Sequence, residues 1–545
     1  MVPLGIVLVV AVMAAGCSRS EDTAGPGDTS QIGSADTSPD VVKPASTQTP
    51  KNGGTLVYGL EAETDGWNPT VNRWANSGTQ IALAIYDPLV VLDKDLNWKP
   101  YLAESITSNT DFTQWTVKLR ANIKFHDGED LTADALVKSF NAFKASPLTG
   151  AAAAPVQSAT KVDNLSVLFT MTQPWATWPF GLTGQAGVVP APKQLDADPA
   201  TASNDPIGTG PFVFKSWQRD DKLVATKNPN YWRPGLPYLD EIDFKPIPDD
   251  TSRYNSLKSG DINLMVTSAE PTIGKLLPDG KAGSIQVTRS VGNNDVTLVL
   301  LNVQKPPLDN LKVRQAMAYA LDKRALDDIS STDPSLEANT VYQPESKWYT
   351  PAPDYPSFDL DKAKSLVQSV GSPVSFTMTS TTDPDTLRVA QAEAQMWQAA
   401  GMQVQVNTID QATLIGNAVS GNYQAQVWRQ FGAADPDLNY VWWIGANAAG
   451  PLALNMARNV DQQTDDALNA GRATTDFNTR KAAYAKVQQR QTDLLPYLWL
   501  SHLRWTLGAS NNVRGLQGMP LPDNQGMSSG LVGGVIPVTA MWIDS

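Results

Sequence analysis

The sequence predicts a mixed α/β or α+β protein built in more than one lobe, and three observations carry that expectation. At 545 residues the chain is long enough for roughly two to four folding units of about 100–200 residues each. Hydrophobic residues make up 41% and charged residues 18%, which is enough apolar material for real cores and too little charge for a disordered chain. Short helical and strand-like patterns alternate along the whole length with no fixed-period repeat.

Gly54-Thr55-Leu56-Val57-Tyr58-Gly59 reads as the strand that opens the globular part. Pro306-Pro307 blocks a helix before Asp309, after which Val313, Ala316, Met317, Ala320 and Leu321 recur at helical spacing. Residues 385–400 predict a second helix, with Leu387, Ala394 and Trp397 toward one side. Gly401 stops it, and Met402, Val404 and Val406 then alternate with Gln403 and Gln405, so this stretch is an αβ unit. Residues 476–495 read as a late helix stopped by Pro496.

Residues 2–15 are an almost uninterrupted apolar run, too short for the roughly 18 residues of a bilayer-spanning helix but suited to the core of a secretory signal. The run ends in Ala14-Ala15-Gly16-Cys17, and small residues before a lone Cys resemble the lipobox of bacterial lipoproteins. That resemblance implies a signal peptide over 1–16, cleaved so that Cys17 becomes the lipidated first residue. Two features depart from the pattern: Ala14 stands where Leu is commoner, and no Lys or Arg precedes the apolar run. A plain signal peptide with an incidental Cys is the alternative. Residues 17–51 are then a tether rich in Ser, Thr, Asp, Gly and Pro, with an r.m.s. reach on the order of 30 Å. Two or more acyl chains on Cys17 would hold the folded part on a membrane surface.

Lys and Arg number 42 against 55 Asp and Glu, a net charge of −13 that repels phosphate backbones and argues against nucleic acid as a partner. With one Cys there is no internal disulfide and no Cys-rich zinc site, and His126 and His502 stand too far apart to give metal-ligand spacing. No cofactor is expected. His126, in Lys124-Phe125-His126-Asp127-Gly128, reads as a structural residue on a strand that runs into an Asp-Gly turn. Gly208-Thr209-Gly210 lacks the Gly-Lys-Ser/Thr of a nucleotide loop. Gly526-Met527-Ser528-Ser529-Gly530 has the spacing of a nucleophile elbow, but the last His, His502, precedes Ser528 rather than following it. A surface serine hydrolase is therefore a minor alternative, and binding without covalent chemistry is the main expectation.

Blocks in order along the chain carry a resemblance. They are Tyr86-Asp87-Pro88-Leu89-Val90, Leu102-Ala103-Glu104-Ser105, Trp115 to Arg120 leading to Lys124-Phe125-His126-Asp127-Gly128, and Ile207-Gly208-Thr209-Gly210-Pro211-Phe212. Asn228-Pro229-Asn230-Tyr231-Trp232, Leu257-Lys258-Ser259-Gly260-Asp261-Ile262 and the run from Leu301-Asn302 to Asp322-Lys323 follow. Together they resemble the large extracytoplasmic solute-binding proteins of ABC importers, the group that includes oligopeptide-, dipeptide- and nickel-binding proteins. The resemblance implies a two-lobed fold of the periplasmic-binding-protein type II, with an extra inserted domain and a ligand cleft between lobes that close over the solute. Mapped here, the first lobe would be 52–85, 208–300 and 500–545, the insert 86–207 and the second lobe 301–499. It also implies a monomeric receptor at the bacterial cell envelope, on the outer face of the cytoplasmic membrane, that delivers a peptide or other small solute to permease subunits.

Peptide-binding members place an Asp of the second lobe on the ligand's α-amine, near an Asp-Pro-Asp stretch. Here the region is Trp428-Arg429-Gln430-Phe431-Gly432-Ala433-Ala434-Asp435-Pro436-Asp437. Register on Asp-Pro-Asp puts Gly432 at that position, register from Tyr423 puts Ala433 there, and only a gap brings in Asp435. A buried ammonium without a partner costs several kcal/mol, so a non-peptide solute, such as an oligosaccharide, haem or a metal chelate, stays open. Tryptophans outnumber the other aromatics, at 16 against 14 tyrosines and 13 phenylalanines, an excess that needs a use. Trp74, Trp428, Tyr440, Trp442 and Trp443, with Arg429 for a carboxylate and Asp435 for an amine, form the candidate ligand site. Trp175 and Trp178 lie in the insert. Singly each aromatic suits a core; as a set they suit stacking walls.

Overall fold

The strand expected at residues 54–59 is Thr55–Leu60, and its position explains its composition. It runs parallel to Glu241–Pro246 on one side and to Leu264–Thr267 on the other. One face carries Leu56, Tyr58 and Leu60, all buried, and on the other face Val57 is half-buried and Gly59 buried. The computed structural model describes residues 49–544 apart from 73, 147–148, 291–294 and 451. The expected signal peptide, Cys17 and nearly all of the tether lie outside the described residues.

Three sheets, each with its own core, organise residues 52–544. The first has seven strands in the order Gln286–Arg289, Thr506–Ala509, Leu264–Thr267, Thr55–Leu60, Glu241–Pro246, Lys222–Lys227, Phe212–Gln218. Between Thr55–Leu60 and Phe212–Gln218 the chain builds a four-stranded antiparallel sheet, Ala103–Ser108, Gln114–Leu119, Ser166–Met171, Val156–Lys161, packed around Trp115, Phe140, Phe169 and Trp178. Asp87 ties the start of this insertion to the first sheet's loops by accepting from Tyr231 Oη at 3.0 Å and Trp232 Nε1 at 2.8 Å. Burial pushes its carboxyl up to about 7 against the pull of those two donors.

The third sheet has five strands in the order Gln403–Ile409, Ser375–Thr381, Ala425–Gln430, Val296–Leu301, Tyr497–His502. Its helices begin where short acceptors cap them. Asn310 caps Leu311–Ala320, Asp383 caps Pro384–Ala399, and Asp476 caps Phe477–Leu494, which ends at Leu495 in the left-handed region just before Pro496.

The chain passes between the first and third sheets twice, and both passages differ from the expected lobe boundaries at 300/301 and 499/500. Val296–Leu301 is an apolar strand inside the five-stranded sheet, and Tyr497–His502 pairs with it, so neither can be interrupted. The chain crosses between Arg289 and Val296 and again between His502 and Thr506, where Ser290 N donates to Trp505 O at 2.7 Å and Leu503 N to Asp295 O at 3.0 Å. At the ends of the described chain, Lys51 Nζ meets Asp544 Oδ1 at 2.7 Å, and Arg514 Nη2 holds the other oxygen at 3.0 Å.

Candidate functional site

Strand direction determines where a crevice forms. In the first sheet the parallel trio Thr55–Leu60, Glu241–Pro246 and Leu264–Thr267 brings three carboxyl ends to one edge. Thr267 pairs with Thr506, as does Arg289, so both passages leave from that same edge. In the five-stranded sheet Ser375–Thr381, Gln403–Ile409 and Ala425–Gln430 are parallel. Gln430 pairs with Val296 and Val296 with His502, so the passages arrive at the carboxyl edge there too. The two carboxyl edges therefore meet across the passages, the position outside strand ends where open α/β sheets hold ligands.

Five side chains, Arg429, Ser268, Trp505, Asp295 and Glu61, occupy this junction. Arg429, next to last in its strand, donates from Nη2 to Ser268 Oγ at 2.6 Å, and Ser268 directly follows Leu264–Thr267. The guanidinium lies 5.0 Å from the Trp505 ring centroid. Trp505 Nε1 donates to Asp295 Oδ2 at 2.6 Å, and the other oxygen of Asp295 accepts from Gly432 N, which fastens the loop after Arg429 to the first passage. Glu61 directly follows Thr55–Leu60; burial raises its carboxyl against the attraction of Arg429 and Arg253, with Asp250 and Asp295 adding to the rise. Phe431, at 47% exposure, adds an uncovered ring to the same loop.

The candidate residues divide. Arg429 and Trp428 sit at the carboxyl edge; Trp428 is half-buried against the second-lobe core. Trp442 is also half-buried on that core. Tyr440 gives its hydroxyl to Asn469 Oδ1 at 2.9 Å and its ring to Arg472, 3.4 Å from the centroid. Trp74 stacks on Tyr86 at 5.9 Å and donates to Gly66 O at 3.0 Å, so it serves the first lobe. Trp443 is 3% exposed and packs in the second-lobe core. Asp435 is also engaged within the second lobe. At 1% exposure it holds Arg480 through both oxygens, at 2.6 and 2.8 Å, and caps the short turn at Asp437 N. The carboxylate is an internal anchor because Arg480, stacked 4.8 Å from Trp348, pairs with no other anion among the described residues.

A second contact joins the insertion to the five-stranded lobe. Trp175 Nε1 and Thr177 Oγ1 donate to Asp437 Oδ2 at 2.5 and 2.8 Å, Arg472 Nε donates to Oδ1 at 2.8 Å, and Ala176 N donates to Arg472 O at 2.8 Å. Sequence reasoning took Trp175 as a stacking candidate and did not single out Asp437. Glu61, Ser268, Asp295 and Trp505 were missed as well; the available signal was position, since Glu61 and Ser268 each follow an apolar strand.

The remaining expectations concern chemistry. His126 is held by Gly210 O at 3.0 Å, and burial lowers its pKa to about 4, which keeps it neutral. Ser528 is buried, accepting from Met519 N and donating to Ser529 O, both at 2.9 Å. Among the described residues no group of His, Cys, Asp or Glu is placed to hold a metal ion, and no helix is long and apolar enough to cross a membrane.

Known proteins align with this arrangement. The family model for bacterial extracellular solute-binding proteins, family 5 Middle, matches residues 97–451. The glutathione-binding protein GsiB of Escherichia coli (strain K12) is 27% identical over 466 residues, which cover 81% of this chain and 87% of that protein. Among solved structures, the periplasmic binding protein DppA from Helicobacter pylori, in complex with the peptide STSA, superposes with a TM-score of 0.80 at 22% identity over 91% of this chain and 99% of its own. AgaA from A. tumefaciens R10, in complex with agropinic acid, gives 0.78 at 25% identity over 90% and 99%. Ser528 lies beyond the matched region, and its hydroxyl is engaged by Met519 N and Ser529 O within a turn.

Proposed function

We propose, on the premise that the chain belongs to family 5 of the bacterial extracellular solute-binding proteins, that it is the solute receptor of an ABC importer and captures a small peptide-like solute between its lobes. The observation that carries this reading is the pair of carboxyl edges facing one another across two passages, with Arg429 reaching from one to Ser268 on the other. A solute seated there touches both lobes at once, so its binding energy favours the closed form. The glutathione-binding relative and the peptide-bound fold neighbour support a peptide-like solute, and Arg429 suits a carboxylate on it.

In the same reading Cys17 carries the lipid that holds the receptor at the outer face of the cytoplasmic membrane, the tether lets the folded part stand clear, and the closed monomer docks on the permease. Native mass spectrometry of protein purified from its own host tests the solute class. A retained peptide-like mass is the expected result; a retained sugar, haem or metal chelate replaces the peptide assignment, and a protein that turns over an ester overturns the receptor reading.

A further inference from the structure

We propose that Glu61 is the group that receives the cationic end of the solute, doing from the first lobe what Asp435, held by Arg480, does not do from the second; this rests on the receptor reading above. Its position follows from topology. Glu61 is the first residue past Thr55–Leu60, the strand flanked on both sides by parallel neighbours, so it stands at the carboxyl edge that faces Arg429.

Three carboxylates that neighbour it in the chain or act on it electrostatically are committed. Glu63 accepts from Trp217 Nε1 and Asp220 N, both at 3.1 Å. Asp250 pairs with Arg253 and accepts from Thr267 Oγ1 at 2.8 Å. Asp295 is taken by Trp505 and Gly432 N. Glu61 alone of this group makes no hydrogen bond or ion pair with any described residue, although it is half-buried. Across from it, Arg429 is likewise without a carboxylate at ion-pair distance among the described residues, its Nη2 going to Ser268 and its face to Trp505.

Structural carboxylates do not lie half-buried and unengaged without cost, because removing a charge from water is unfavourable until a partner restores the lost solvation. Burial raises the Glu61 carboxyl for that reason. On the second lobe, Gly432 and Ala433 supply no side-chain acceptor, and Asp435 is held by Arg480. An ammonium or guanidinium on the solute therefore meets Glu61, and a solute carboxylate meets Arg429. The class of ligand is a zwitterion, or a cation with an acidic end.

The experiment compares wild type with Glu61→Gln, which keeps shape and removes charge. The probe is an equimolar library of di-, tri- and tetrapeptides with free N-termini, set beside the same library acetylated, and the retained species are read by mass spectrometry after gel filtration. Wild type is expected to retain free peptides and to lose about tenfold on acetylation, and Glu61→Gln to retain both libraries at the lower level. The melting temperature of solute-free Glu61→Gln should match or exceed that of wild type; a fall would mark Glu61 as structural and overturn the proposal. Equal retention of free peptides by both proteins would also overturn it. If wild type retains neither library, the peptide reading fails by itself, and the solute recovered from the host decides the role of Glu61. A cationic solute that Glu61→Gln no longer carries supports it, and a solute without a cationic group ends it.

Discussion

Trp175 donates its indole N–H to Asp437 at 2.5 Å, joining residues 262 positions apart on the insertion and the second lobe. With Thr177 and Arg472 on the same carboxylate, this contact fastens the insertion to the second lobe through side chains of the protein. Thr177→Val removes one charge-assisted hydrogen bond, of the order of 1.5–3 kcal/mol, and leaves the Asp437–Arg472 pair whole. The variant is expected to bind solute about tenfold more weakly and, free of solute, to show a larger radius of gyration by small-angle scattering. Unchanged scattering and affinity would mean that the contact does not govern closure.

Asp435 and Arg480 make a prediction about stability rather than binding. Asp435→Asn leaves a buried guanidinium without an anion, and the expected loss is about 3 kcal/mol, read as a lower urea midpoint. The ratio of affinities for free and N-acetylated peptides should stay the same. A selective loss of free peptides at unchanged stability would return Asp435 to the ligand site.

Glu393 sets a pH dependence. It lies fully buried on helix Pro384–Ala399, neither oxygen has a hydrogen-bond partner among the described residues, and burial pushes its carboxyl from 4.5 up to about 8. The folded chain thus binds this proton more tightly than the unfolded chain, so the associated stability is full below pH 4.5 and is lost as pH rises through 8. Glu393→Gln is expected to melt with wild type at pH 5 and several degrees above it at pH 8.5. Parallel melting curves for the two proteins across that range would contradict the assignment.

Cys17 is the only thiol in the chain, so Cys17→Ser is expected to shift the protein from the membrane fraction to the soluble or culture fraction with its melting temperature unchanged. Continued membrane association of the variant would rule out the lipid anchor.

Local elements were legible because their signals are local. The helix expected over 385–400 is Pro384–Ala399, started by the Asp383 cap, and the one expected over 476–495 is Phe477–Leu494. The alternation after Gly401 became Gln403–Ile409. Arg429 stood out by its place beside the Asp-Pro-Asp stretch. Asp435 and Asp437 look alike in sequence, and only the fold separates them: one faces Arg480 on a helix 45 positions on, the other faces Trp175 and Thr177 far upstream. Trp443 and Trp428 differ for a similar reason. One lies under the second-lobe core and the other at a strand end, a distinction that aromatic content cannot carry.

The Lys51–Asp544 pair brings the first and last described parts of the chain to one corner. A fusion placed after residue 544 would emerge beside Lys51, at the amino end of Thr55–Leu60 and so opposite the carboxyl edge where the crevice forms. The same closeness makes the molecule a natural subject for circular permutation. A short Gly/Ser link from residue 544 to residue 51 would span only the space of one ion pair, and new ends could then be opened in an exposed loop such as 162–164, away from both passages.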